Sequence, residues 1–151
     1  MIFELYPEVA PLTVANFLKL AESRFWVEKP SFLYRVLPGF VAQGGPLSPE
    51  DEQLDAEFIP GEFGPIAHER GVLSMARPEN PDGASCHFFI CLGKLERLDG
   101  QYASFGRRIA GEDVLHAIEH VEKKDGLDGR VSRPVEPILI RRVEELVRDS
   151  K

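Results

Sequence analysis

Arg35-Val36-Leu37-Pro38-Gly39-Phe40-Val41-Ala42-Gln43-Gly44-Gly45 is the stretch that decides how this chain folds. Residues 32–36 are rich in aromatic and apolar side chains and read as a strand. Pro38-Gly39 breaks it, and residues 40–43 resume extended structure before Gly44-Gly45. A second run answers it: Gly71-Val72-Leu73-Ser74-Met75-Ala76-Arg77, then His87-Phe88-Phe89-Ile90. Together the two runs supply one arginine, one glutamine and several large apolar side chains for a single groove. The usual acid, base or nucleophile does not accompany them.

Working outward, residues 2–6 alternate weakly and read as a strand. Pro7 and Pro11 follow. Val14, Phe17, Leu18 and Ala21 then recur at helical spacing, with Pro11 suited to the first turn. Residues 46–65 are acidic with several prolines and glycines, which predicts a long surface excursion. Residues 71–76 read as a strand, and Pro78-Glu79-Asn80-Pro81-Asp82-Gly83 is turn chemistry. Residues 87–92 are a strand with apolar side chains on both faces. His87, Phe89 and Cys91 share one face and Phe88, Ile90 and Leu92 the other, so one face can build a groove and the other a core. Leu98-Asp99-Gly100 is a turn and residues 104–107 a short strand. Glu112 and Asp113 open a second helix at its positive end, with Val114, Ala117, Ile118 and Val121 as its apolar face. A polar loop over 123–133 and a last strand from 137 to 140 complete the pattern. Many short strands with two separated helices predict a mainly β chain, an antiparallel barrel with the helices at its ends.

The chain has 151 residues, 43% of them hydrophobic, which fits one domain over 1–151 with a sizeable core. Its net charge of −7, without a Lys/Arg cluster, argues against a nucleic-acid partner. Apolar runs are too short to span a bilayer. No basic segment leads into an apolar one at the start, so the expected compartment is the cytoplasm. Cys86 and Cys91 fall on opposite faces of one strand and are expected to be free thiols.

The ordered set Arg-x-x-Pro-Gly-Phe-x-x-Gln-Gly-Gly, Gly-x-Leu-Ser-Met-Ala, Phe-Phe-Ile, Leu-Asp-Gly and Phe-Gly resembles the cyclophilin family of peptidyl-prolyl cis-trans isomerases over nearly the whole chain. The resemblance implies the cyclophilin-like barrel and an activity that turns X-Pro peptide bonds to assist protein folding. It needs no cofactor or metal, and its partners are proline-containing peptides and folding client proteins. It places Arg35 at the catalytic arginine and Gln43 at a glutamine that holds that arginine and the peptide backbone. Phe40, Met75, Phe89 and Leu98 become walls of the proline pocket. Ala76 and Arg77 fall where the family contacts residues before the proline.

That assignment is chemically coherent. Rotation about an X-Pro amide meets a barrier of about 18–20 kcal/mol because resonance stiffens the C–N bond. In the twisted state the nitrogen lone pair is released and can accept a hydrogen bond, and a guanidinium is a permanent, rigid donor. An apolar slot must hold the ring while the acyl side turns. No proton transfer or covalent intermediate is required.

Several positions depart from the family. His87 stands for a glutamine, and can still donate to a peptide carbonyl while adding a titratable group. Arg97 stands where some members carry a tryptophan that binds cyclosporin, which predicts weak binding of that inhibitor. Tyr102 replaces a common histidine on the pocket rim, and Leu33-Tyr34 replace a Phe-His pair. Residues 2–6 match the family's second strand, with no segment matching the first. Three outcomes follow: a gapped barrel, direct closure of residues 2–6 on the last strand, or a shortened chain. Two other functional classes compete. One is a non-catalytic module holding proline peptides on the same fold. The other is a hydrolase or metal enzyme drawing on His68, Cys86, His87 and Cys91.

Overall fold

Alternation along the strands sorts side chains onto two faces, and both are buried. A computed structural model describes residues 1–47 and 57–148. Its elements are β1 (Ile2–Leu5), α1 (Pro11–Glu22), α2 (Phe25–Glu28), β2 (Ser31–Leu37), β3 (Val41–Pro46), β4 (Val72–Met75), β5 (Phe88–Cys91), a 3-10 turn (Glu96–Leu98), β6 (Ser104–Ala110), α3 (Glu112–Glu119), β7 (Lys123–Asp125) and β8 (Val131–Pro134). A six-stranded sheet runs β1-β6-β4-β5-β3-β2, antiparallel throughout. The mainly β, antiparallel architecture is the expected one. The short helix α2 and the β7–β8 hairpin were not foreseen. Of the acidic stretch 46–65, residues 48–56 lie outside the described residues; beyond them Ile59 bridges to Ala84.

One face of the sheet carries the main core. Leu33, Val36, Ala42, Leu73, Met75, Phe88, Ile90 and Phe105 meet Val14, Phe17, Leu20 and Ala21 of α1 there. Pro11 opens α1 with its φ already set. Ala10 offers no capping side chain, so the helix is capped from afar. The Glu62 carboxylate accepts the Leu12 and Thr13 N–H groups at 3.2 and 2.6 Å and the Thr13 hydroxyl at 2.8 Å. Arg24, at φ 58°, turns the chain into α2, and α2 delivers Trp26 to the core. Its ring meets Phe17 at 4.7 Å and Phe88 at 5.6 Å, and its Nε1–H donates to the Cys86 carbonyl at 3.0 Å.

Three local expectations need correction. The buried stripe of α3 is Leu115, Ile118 and Glu119, not Val114, Ala117 and Val121; Val114 is 43% exposed. A carboxylate on the inward face disguised that stripe. Glu119 is tolerated there because the Gly39 N–H and Arg70 both donate to it. The polar segment 123–133 is a hairpin, hidden because its strands have no apolar alternation. The last strand is reduced to a brief pairing: Leu33 N–H donates to the Ile138 carbonyl and Ile140 N–H to the Ser31 carbonyl, both at 2.9 Å, around the Phe32–Leu139 bridge.

Among the described residues, β1 pairs along one edge only, with β6. Direct closure of β1 on the last strand is therefore not the arrangement found among the described residues. Side chains fill the space between them in place of backbone bonds: Phe3 and Leu5 from β1 and Ile138, Ile140 and Val143 from the tail all pack on the same core. An exposed Arg148–Glu4 ion pair at 3.7 Å crosses it.

Trp26 is 1% exposed and bonded at its only polar atom. Trp26→Ala is expected to cost about 3–5 kcal/mol of folding stability. Urea unfolding measures it, and a loss below about 1 kcal/mol would show that the aromatic cluster is not the keystone of this core.

Candidate active site

The second face of the sheet collects a smaller apolar cluster. Register brings its members into rows: Arg35 lies opposite Gln43, Gln43 opposite Phe89, and Phe89 opposite Ser74. Residues far apart in sequence become neighbours only through this pairing of β2, β3, β5 and β4.

Arg35 is held at two points. Its Nε–H donates to Asp128 Oδ2 at 2.8 Å and its Nη1 to Gln43 Oε1 at 3.2 Å. Its guanidinium carbon lies 5.7 Å from the Phe40 ring centre. Gln43 passes the order onward: its Nε2 donates to the Tyr34 hydroxyl at 2.9 Å, and that oxygen lies 2.8 Å from His87 Nδ1. Gly45 lets this happen. At φ +150° a Cβ there would lie 2.5 Å from His87 Nδ1.

Phe40, Phe89, Leu98, Tyr102 and Ala76 lie in one apolar cluster with Val41, Val72, Cys91, Leu95 and Ile66. Phe89 and Tyr102 meet edge to face at 5.7 Å. Arg97 lies over Phe40 at 4.7 Å, so Phe40 is flanked by two guanidiniums. Arg77 is tied down: it stacks on Tyr102 at 4.8 Å and donates to the carbonyls of Gln101, Pro78 and Glu79. Its side chain braces the pocket rim.

Met75 is not in this cluster. It is 1% exposed and packs in the main core with Leu73. Period-two alternation excludes Met75 and Ala76 from one face, so placing both in the groove was inconsistent. The pocket side is supplied by Val41, two residues before Gln43 on β3, and the same alternation could have found it.

Asp128 and Tyr34 were also missed. Asp128 sits in the β7–β8 turn, far from Arg35 in sequence. Burial pushes its carboxyl up, but hydrogen bonds from Arg35, the Ser132 hydroxyl and the Arg130 N–H outweigh that and hold its pKa at about 2.

Beneath the pocket, Asp99 Oδ1 lies 2.9 Å from His68 Nδ1, and His68 Nε2 lies 2.8 Å from Ser74 Oγ. This has the connectivity of a nucleophilic triad. Ser74 is completely buried, however, and His68 is stacked on Phe89 at 6.0 Å. The chain of bonds therefore supports the pocket floor. Cys91 is equally unsuited to attack, since burial, aided by Asp99, pushes its thiol up to about 12.

The Asp128 carboxyl lies below its ordinary value of about 3.9. Its contribution to stability is therefore complete above about pH 4 and lost as pH falls toward about 2. The stability gap between wild type and Asp128→Asn should stay constant from pH 8 to 5 and narrow below about pH 4. Urea unfolding across pH measures it; a gap that already closes between pH 7 and 5 would contradict the pairing.

The comparisons with known proteins agree with this geometry. The family model for cyclophilin type peptidyl-prolyl cis-trans isomerase/CLD matches residues 1–145. Peptidyl-prolyl cis-trans isomerase CYP23 of Arabidopsis thaliana is 36% identical over 146 residues, covering 91% of this chain and 63% of the relative. A peptidyl-prolyl cis-trans isomerase of Acinetobacter baylyi is 36% identical over 125 residues, 78% of this chain and 65% of the relative. The chain thus spans a little under two thirds of the length of these relatives. Among solved structures, a Cryptosporidium parvum cyclophilin type peptidyl-prolyl cis-trans isomerase in the presence of dipeptide ala-pro superposes with a TM-score of 0.78 at 28% identity, covering 93% of this chain and 88% of that one. A cyclophilin from Hirschia baltica shares the fold at a TM-score of 0.76 and 23% identity, covering 93% and 67%. On the family model, the relatives and the fold together, the chain belongs to the cyclophilin-type peptidyl-prolyl cis-trans isomerase family.

Proposed function

We propose that this protein catalyses cis-trans rotation of X-Pro peptide bonds in proline-containing peptides and folding proteins. The observation that carries the reading is Arg35, fixed by Asp128 and Gln43 beside the apolar slot of Phe40, Val41, Phe89, Leu98 and Tyr102. The slot holds the proline ring. Ala76 and Arg77 border the path of the residues before it; the Ala76 N–H is already given to the His87 carbonyl at 3.1 Å, so the peptide must pair with other main-chain groups.

The barrier falls because Arg35 interacts more strongly with the twisted amide than with either planar form. In the planar amide the nitrogen lone pair is delocalised into the carbonyl. As the C–N bond turns, the lone pair localises and accepts a hydrogen bond from the guanidinium. An interaction made only in the transition state raises kcat. Asp128 and Gln43 reduce the reorganisation of Arg35 at that moment.

Exchange NMR on an Ala-Pro peptide is the decisive assay. Wild type should accelerate exchange, and Arg35→Ala should lose about 100-fold or more. Absence of any acceleration by wild type would sink the enzyme reading; peptide binding without acceleration would establish a holding module. Asp128→Ala should keep the fold and lose about tenfold in kcat with little change in KM, because a misplaced donor is felt in the transition state. Cyclosporin should inhibit weakly, since Arg97 offers no indole and already covers Phe40. Nanomolar inhibition in the same assay would contradict that assignment.

A further inference from the structure

The His116-Ala117-Ile118-Glu119-His120 segment of α3 lies apart from the groove. This His-x-x-x-His spacing corrects the expectation that the chain contains none, and it lies away from His68, Cys86, His87 and Cys91, the ligands that expectation considered. One helical turn separates the two histidines, so both rings stand on one side of α3, with centres 4.2 Å apart. Both are exposed, and Glu119 between them is buried. The candidate donor atoms of the three residues all lie within 4.8 Å of one another.

We propose that His116, Glu119 and His120 form a binding site for a late first-row divalent metal ion, Zn2+ in particular. Two imidazoles and a carboxylate are a donor set that zinc accepts, and imidazole also suits nickel and copper. Two features prepare the site. His120 Nδ1 lies 2.8 Å from the His116 carbonyl oxygen, so it carries the ring proton and leaves the Nε2 lone pair for a metal. Glu119 is oriented by the Gly39 N–H at 2.9 Å and Arg70 Nη1 at 2.8 Å. A carboxylate has about four lone-pair positions, so two such bonds leave capacity for a cation. Ligands about 2.0–2.1 Å from a common ion lie closer together than 4.8 Å, and the exposed imidazoles can make that small rotation.

The site has a mechanical link to the groove. Glu119 accepts from Gly39, and Gly39 precedes Phe40. A metal drawing on Glu119 therefore acts on the turn that carries a pocket wall.

Calorimetric titration of the tag-free, EDTA-treated protein with ZnCl2 tests this. One ion should bind per chain. His116→Ala and His120→Ala should each weaken it at least about tenfold, and the double variant should abolish the site. These exposed substitutions should leave the fold and basal isomerase activity unchanged. In 15N spectra, Zn2+ should shift the Gly39 amide of wild type and not that of the double variant. Absence of saturable binding up to about 1 mM, or binding indifferent to both histidines, would overturn the site. Histidine-dependent binding with a motionless Gly39 amide would remove Glu119 from the ligand set.

Discussion

The antiparallel register of β2, β3, β5 and β4 is the constraint on which this molecule depends. It sets Arg35 opposite Gln43, Gln43 opposite Phe89 and Phe89 opposite Ser74. A slip of one residue in any pair would carry a side chain to the other face. Arg35 would then enter the apolar core, and Val36 or Ala42 would take the groove. Burial on both faces fixes the register, because Val36, Ala42, Phe88 and Ile90 have no other place from which to meet α1. Packing of the core thus positions a polar site on the reverse of the same strands.

Carboxylates do the remaining positioning, each across a long stretch of chain. Glu62 caps α1, Glu119 holds the Gly39 turn and Asp128 holds Arg35. Each is a charged acceptor meeting N–H donors in a partly dry setting, where such bonds are shorter and stronger than neutral ones. Each also satisfies groups that would be costly to leave unpaired. Glu119 and Asp128 flank the groove from two sides, one through the turn beneath Phe40 and the other through the guanidinium. The groove is therefore braced by elements outside the six-stranded sheet.

Legibility in the sequence followed the range of the interaction. Strands and α1 were readable because their apolar spacing is local. The groove faces of β5 were readable for the same reason. The stripe of α3 was misread because Glu119 breaks the pattern, and the β7–β8 hairpin escaped because Lys123, Lys124, Val131 and Arg133 do not alternate. Met75 was misplaced by motif matching where alternation along β4 would have corrected it. His68, one histidine in a loop, gave no local sign that it would stack on Phe89 and bridge Asp99 to Ser74.

The sequence by itself determined most strands of the main sheet, the family and the identity of the groove's chemistry: one arginine, one glutamine and an aromatic slot. These depend on residue type and on spacing within a few positions. Only the tertiary structure decided how Arg35 is held, which partner orders His87, and how the space between β1 and residues 138–143 is filled. Asp128 meets Arg35 through a hairpin 93 positions away, and Phe3, Leu5, Ile138 and Val143 meet through a shared core. Contacts of that range leave no periodicity along the chain, because folding, and not local spacing, brings the partners together.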